Sequence, residues 1–307
     1  MYPLPDLTGR TVLVTGTTSG LGFALSRAFA GAGARVLMTA RDAARGAAAV
    51  ARVGGAAEPV LLDLADLSSV RAAAADVRER TDDRLDLLVN NAGIAMGPRA
   101  ATADGFELQM GTNHLGPAAL TWLLMPALRG GGDLEPARVV TTSSLGHRTG
   151  RLDPDDLDGK RRRYSPTVAY GTSKLAGLLF AAELDRRLRL AGDEVLSVAA
   201  HPGMTESSLL GNSLRRGATL QARLSGPLDR WFVQPVEAGI GPQLAAATGP
   251  VHGGDYLGPT GPFEVAGPPG PARRSTAAQD PDLAARLWAA TATATGVPPD
   301  PGRTVNA

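Results

Sequence analysis

Short apolar runs rich in Val and Leu alternate along the chain with longer stretches in which apolar positions return every three or four residues. The runs Arg10–Thr15, Ala34–Thr39, Pro59–Leu62, Leu85–Asn90, Arg138–Ser143 and Glu194–Ala200 predict buried strands. The stretches Leu21–Gly31, Asp42–Val53, Leu67–Thr81, Asp104–Leu115 and Ala169–Leu190 predict helices. A further strand is expected around Asp255–Leu257, and a helix over Pro281–Thr295 that puts Leu283, Leu287 and Trp288 on one face. Strand–helix alternation of this length implies an α/β fold with helices on both faces of a parallel sheet. Right-handed crossovers make that sheet doubly wound, in three layers α/β/α, and put ligands at the carboxyl ends of its strands.

Two stretches break the rhythm. Residues 145–167 are polar and carry Lys160, Arg161, Arg162 and Arg163 in a row, which reads as a solvated insertion or as a site for a phosphate or an acidic partner. Gly253–Arg274 is dense in Gly and Pro and opens a C-terminal extension over residues 253–307. The length, 307 residues, suits one domain spanning 1–307. With 31 Lys and Arg against 30 Asp and Glu, the net charge of +1 gives no reason to expect a nucleic-acid partner. No cysteine is present, so disulfides and thiolate chemistry are excluded. The four histidines are scattered without metal-ligand spacing, and no metal is expected. The first apolar run is too short for a membrane anchor, so a soluble, cytoplasmic protein is expected.

Candidate chemistry begins at Thr15–Gly22, which reads TGTTSGLG between a predicted strand and a predicted helix. That context suits a turn that cradles phosphates. Gly16 permits a tight turn, Gly20 lets the backbone approach a ligand, and Gly22 allows close helix–strand packing. The helix N-terminus at Leu21 offers free N–H groups to a pyrophosphate, and Thr17, Thr18 and Ser19 add hydroxyls. An ordinary glycine-rich turn is the alternative. The second strand ends in Thr39-Ala40-Arg41 rather than in the acid that binds a ribose in NAD-dependent folds. Arg41 at a helix start opposes the helix dipole unless an anion is held there, so NADP(H) is favoured over NAD(H); a solvent-facing Arg41 is the alternative.

The stretch YGTSK puts Tyr170 and Lys174 four residues apart, on one face of a helix. A nearby ammonium stabilises a phenolate, which would make Tyr170 an acid–base catalyst for carbonyl–alcohol interconversion. The strand before the insertion ends in TTSS, which puts Ser144, or Ser143 beside it, past the carboxyl edge of the sheet.

These residues resemble the short-chain dehydrogenase/reductase family, whose fold is a single Rossmann-type domain. The resemblance runs in order through Thr15–Gly22, LDL at 62–64, NNAG at 90–93, TNHLG at 112–116, the Ser144 strand end, YGTSK at 170–174 and HPG at 201–203. TNHLG, the insertion, HPG and the GGDYLGP stretch are similar to the retinol dehydrogenase and WW-domain oxidoreductase branch. The resemblance implies that Ser144 orients a carbonyl oxygen, Tyr170 passes the proton, Lys174 binds the nicotinamide ribose and tunes Tyr170, and Asn113 holds a water in a relay from Lys174; it also favours Ser144 over Ser143. It implies that Asp63 meets the adenine with Leu64 beside it, that Asn90 and Ala92 line the adenosine side, and that Gly93 admits the cofactor. Pro202 and Gly203 would flank the nicotinamide, whose carboxamide would meet Ser207 or, failing that, Thr205. Residues 204–233 would form a substrate lid, whose leucines contact a hydrophobic substrate or only pack on the core. Members often pair into dimers or tetramers, a surface that the C-terminal extension could instead cover. Membrane-bound relatives carry an N-terminal anchor that this chain is not expected to have. The expected activity is NADP(H)-dependent interconversion of an alcohol and a ketone or aldehyde on a hydrophobic small molecule. A non-catalytic NADP(H) sensor, or epimerisation or dehydration on the same cofactor, are the alternatives.

Overall fold

β1 (Thr11–Val14) is flanked in the computed structural model by β2 (Arg35–Ala40) and β4 (Leu87–Asn90), both parallel to it. β3 (Ala57–Leu61) pairs outside β2, while β5 (Arg138–Thr142), β6 (Leu196–Ala200) and β7 (Tyr256–Pro259) extend the other side. The structure describes residues 2–132, 136–205 and 234–301. Among these residues eight strands form one sheet in the order β3-β2-β1-β4-β5-β6-β7-β8. The order reverses between β1 and β4, which opens a crevice above their carboxyl ends. The last strand, β8 (Pro269–Pro271), is antiparallel to β7 and departs from the all-parallel expectation.

The strands read as continuous apolar runs because both faces are covered. Leu13 and Leu37 point into one core with Val70 and Val77 of α3 (Leu67–Thr81), while Val12, Val14, Val36 and Met38 point into the other with Leu25 and Phe29 of α1 (Gly20–Gly31). Fully burying a side chain of this size stabilises the fold by about 1.5–3 kcal/mol. Aspartates set several helix starts: Asp42 caps α2 (Ala43–Val53) by accepting from Arg45 N, and Asp66 caps α3 by accepting from Ser68 N and Ser69 N.

The middle of the chain differs from expectation. The helix predicted over Asp104–Leu115 begins only at α4 (Leu108–Met110), because the Asp104 carboxylate instead accepts Leu67 N at 3.0 Å. Gly111–Leu115 then widens into a π-helical turn and runs directly into α5 (Gly116–Gly130), which the apolar pattern does not announce. α5 is buried on nearly every side and carries Pro117 and Pro126, so its period is hidden and its prolines read as breakers. α6 (Pro166–Leu190) follows the insertion; the short α7 (Val236–Gly239) and α8 (Gly241–Thr248), rich in Gly and Ala, are likewise unannounced.

α9 (Pro281–Thr295) closes the C-terminal extension over α5 and α6. Trp288 stacks on Phe180 at 5.4 Å and meets Trp122 edge-on at 4.8 Å. No helix among the described residues is long and apolar enough to cross a membrane. Of the expected substrate lid, residues 206–233 lie outside the described residues.

Candidate active site

The β1–α1 turn is shaped by contacts that exclude side chains. Gly16 has φ +72° and lies against Ala92, which a Cβ there would meet at 2.9 Å. A Cβ on Gly22 would collide with the Gly16 carbonyl oxygen and reach Asn91 Nδ2 at 2.6 Å. Gly20, at φ +59°, opens α1. Ser19 is exposed, Thr18 half-buried and Leu21 buried in the core under the turn. Thr17 faces the other way: its hydroxyl donates to the Thr39 carbonyl at 3.0 Å and braces β2, so it is not among the groups around the turn mouth. Arg41 is exposed just past β2, and the neighbouring Asp42 is turned onto the start of α2.

Across the crevice, Asn91 donates from Nδ2 to the Thr15 carbonyl at 2.9 Å, and Ala92 N donates to Thr15 Oγ1 at 2.9 Å. These bonds pin the end of β4 to the end of β1. Asn90 Nδ2 donates to Thr121 Oγ1, while its buried Oδ1 has no hydrogen-bond partner among the described residues. Gly93 comes so close to the site that a Cβ would stand 3.1 Å from Asn113 Oδ1 and 3.3 Å from Lys174 Nζ. Asn113 sits in the π turn and clamps Ile94, accepting from Ile94 N at 2.8 Å and donating to Ile94 O at 2.9 Å. Its amide also donates to Ser173 Oγ at 2.9 Å, which in turn donates to the Tyr170 carbonyl at 2.8 Å. The Asn113 side chain therefore braces the backbone instead of being left to hold a water. Ser173 is a participant that sequence reasoning passed over, although it stands inside YGTSK.

Ser143 and Ser144 diverge as neighbours on a strand end do. Ser143 is buried and donates its hydroxyl to the Lys174 carbonyl at 3.0 Å. Ser144 is half-buried, starts a 3-10 turn over Leu145–Thr149, and accepts at Oγ from Gly146 N at 3.1 Å. The Tyr170 ring lies against Gly146, where a Cβ would meet Tyr170 Cε1 at 3.0 Å. Burial pushes the Tyr170 phenol above its ordinary value, against a downward pull from its hydrogen bond with Ser144. Lys174 Nζ lies 5.9 Å from the phenol ring centre and donates to the Thr142 carbonyl at 3.0 Å. The residue pair alone suggests an acidified phenol, but within the chain loss of water outweighs it. Burial also draws Lys174 down to about 8, so its charge fades just above neutrality.

Asp63 Oδ1 accepts Ala65 N at 2.9 Å, while the Leu64 side chain is buried in the core. Pro202 accepts at its carbonyl from Gln234 Nε2 at 2.7 Å, and Gly203 has φ +68°. Thr205 is buried with its methyl on Gly239. Ser207 lies outside the described residues. His201 is buried and accepts at Nδ1 from Gly203 N.

Residues 10–217 match the family model of short chain dehydrogenases. The chain belongs to the short-chain dehydrogenase family. Polyprenol dehydrogenase of Mus musculus is 39% identical over 296 residues, covering 93% of this chain and 84% of that one. Retinol dehydrogenase 13 of Homo sapiens is 35% identical over 295 residues, covering 94% and 85%. A crystal structure of an uncharacterized protein from Mycobacterium paratuberculosis is 41% identical, with a TM-score of 0.78 and 96% of each chain covered. This short-chain dehydrogenase thus stands in the retinol dehydrogenase-like branch, among oxidoreductases that interconvert alcohols and carbonyls with NAD(P)(H).

The residues of this short-chain dehydrogenase fit a dinucleotide. The β1–α1 turn presents bare backbone, with Gly16 and Gly20 both at positive φ, and Gly93 brings bare backbone beside Asn113 Oδ1 and Lys174 Nζ. Gly22→Ala is expected to lower stability by about 1–3 kcal/mol through overpacking against the Gly16 backbone. Urea denaturation checks this, and an unchanged midpoint would contradict it.

Lys174 gives a second prediction, on pH. Its folded value of about 8 lies below the ordinary lysine value of 10.5. Below about pH 8 the ammonium is carried in both states and folding bears its desolvation, on the order of 3 kcal/mol. Between about 8 and 10.5 the unfolded chain holds more protons, so this destabilisation fades as pH rises. Lys174→Met should therefore be more stable than the parent at pH 7, by that amount less about 1 kcal/mol for the orphaned Thr142 carbonyl. The margin should shrink toward pH 10. Paired urea curves at both pH values test this, and a pH-independent margin would refute it.

Proposed function

We propose that this short-chain dehydrogenase is an NADP(H)-dependent enzyme that interconverts an alcohol and a ketone or aldehyde on a hydrophobic small molecule. The observation that carries the reading is the convergence of Ser144, Tyr170 and Lys174 beside Gly93, at the crevice where the strand order reverses. The dinucleotide would be held by the Gly16–Gly22 turn with Thr18, Ser19, Gly20 and Leu21 at its pyrophosphate. Arg41 would meet the 2′-phosphate. Asp63, Asn90, Ala92 and Gly93 would lie along it, with Pro202, Gly203, Thr205 and Ser207 at the nicotinamide end. For Leu64 only the backbone is assigned to the adenine, since its side chain is in the core. When bound, the nicotinamide supplies or takes the hydride.

The chain's own groups handle the oxygen. Tyr170 gives its phenolic proton to the carbonyl oxygen, or takes one from the alcohol. Ser144, with Gly146 N–H on its acceptor side, turns its O–H toward the same oxygen and stabilises developing charge. Lys174 spends one donor on Thr142 and keeps the others for the ribose and for supporting the phenolate. Because the Asn113 amide is engaged, the relay water is assigned to the backbone of the π turn. A hydrophobic substrate is supported by half-buried Ile94, Met96 and Leu145 near these groups, and by relatives named for retinol and polyprenol.

The test is NADPH oxidation against a panel of apolar aldehydes and ketones. Steady consumption with matching alcohol formation is expected. NADPH binding without turnover across the panel would instead favour a nucleotide sensor, and product without net NADPH consumption would favour epimerisation or dehydration.

A further inference from the structure

The turn carrying Ser144 is tied to the C-terminal extension by contacts that the reaction itself does not use. His147 is only 1% exposed, and its Nδ1 lies 2.7 Å from the Ser144 carbonyl oxygen. The His147 backbone N–H donates to the same oxygen at 3.0 Å, so both acceptor directions of that carbonyl are filled. On the far side of the ring, Ser275 N donates to His147 Nε2 at 3.2 Å. A backbone N–H can only donate, so Nε2 is the bare nitrogen and Nδ1 carries the proton that Ser144 accepts. Tyr256 meets the ring edge-on at 5.7 Å, and the next residue, Arg148, is held by Glu264 at 2.6 Å. Burial lowers the affinity of His147 for a second proton, with Arg148 and Arg274 acting the same way against Glu264 and the Ser144 carbonyl.

We propose that His147 is a positioning residue for Ser144, and that the extension's backbone at Ser275 sets the tautomer in which His147 works. This rests on the reading in which Ser144 touches the reacting oxygen. His147 is buried behind Ser144 and acts through it. With the Ser144 peptide fixed from behind and its Oγ anchored by Gly146, the hydroxyl hydrogen has one useful direction, toward Tyr170 and the substrate oxygen. The extension is thereby a working part of the site, reaching back 128 positions along the chain.

Three variants and one spectrum test this. Leucine fills the His147 space without a donor, whereas the asparagine amide can place an N–H near the Nδ1 position. His147→Leu should lower kcat about ten- to a hundredfold, as misplacement of a reacting group does, while NADPH affinity stays unchanged. His147→Asn should recover most of the loss. Ser275 has φ −66°, which proline adopts, and its hydroxyl has no hydrogen-bond partner among the described residues, so the hydrogen bond that Ser275→Pro deletes is the one from the N–H, and kcat should fall several-fold. Independently of turnover, the imidazole ¹⁵N shifts of the parent protein at pH 7 should show Nδ1 protonated. An Nε2-protonated ring, a Leu variant with parental kcat, or an Asn variant as impaired as the Leu variant would each overturn the proposal. A parent protein that turns over no carbonyl would sink the functional reading itself, and the ¹⁵N signature would then decide the tautomer assignment alone.

Discussion

Tyr170→Phe should lower kcat by about 10²- to 10⁴-fold, the usual worth of a positioned acid–base group, and leave NADPH affinity nearly unchanged. The ring has a seat of its own against Gly146, and phenylalanine keeps that seat. What disappears is the hydroxyl that shares a hydrogen bond with Ser144. The remaining Ser144 and Lys174 can still hold substrate and ribose, but neither can supply the proton along the same line. Single-turnover kinetics with NADPH and an accepted carbonyl, beside fluorescence titration of the nucleotide, measure the two quantities separately. A variant that kept more than a tenth of parental kcat would show that the phenol is not the proton donor.

Arg41→Ala should cost NADPH binding roughly 1.5–3 kcal/mol for each charge-assisted bond lost, or about ten- to a hundredfold in affinity for one such bond, with NADH binding unaffected. Arg41 is exposed at the exit of β2, at the mouth of the crevice. The nearest carboxylate in sequence, Asp42, has its Oδ1 on Arg45 N at 2.8 Å and so serves the start of α2 instead of a ribose diol. An arginine there gains a partner when a 2′-phosphate is present and has none in a plain ribose. Titration of parent and variant with both nucleotides decides the matter; a parent that binds NADH as tightly as NADPH would overturn the assignment.

Much of the fold is legible in the sequence because the chain pairs local signals with global ones. Leu67–Thr81 and Pro281–Thr295 are read with their true ends, since Asp66 and Asp280 each cap the helix that follows. The strands are legible as apolar runs because the sheet is covered on both faces. The same burial hides α5, where apolar residues all round leave no period to find. The antiparallel β8 is built from Pro269-Gly270-Pro271, a tripeptide that reads as a turn.

The site is legible where chemistry constrains residue type, and less so where geometry does. The choice between Ser143 and Ser144 turns on which hydroxyl is spent on the Lys174 carbonyl and which is left beside the Tyr170 phenol, and strand alternation does not reveal that without the register of β5. The commitment of Asn113 to Ile94 depends on a π turn that no local sequence rule predicts. Likewise, the upward pull on the Tyr170 phenol comes from burial by residues far apart in sequence, so the pair Tyr170 and Lys174 read alone points the other way.

Transfer of isotope from the cofactor tests the central claim most directly. The protein would be incubated with NADPH carrying deuterium at nicotinamide C4, one stereoisomer at a time, and with an apolar aldehyde or ketone that it accepts. The account predicts that one of the two isomers places a single deuterium on the carbinol carbon for each NADPH oxidised. Oxidation of NADPH that leaves no deuterium on the alcohol carbon from either isomer would contradict it.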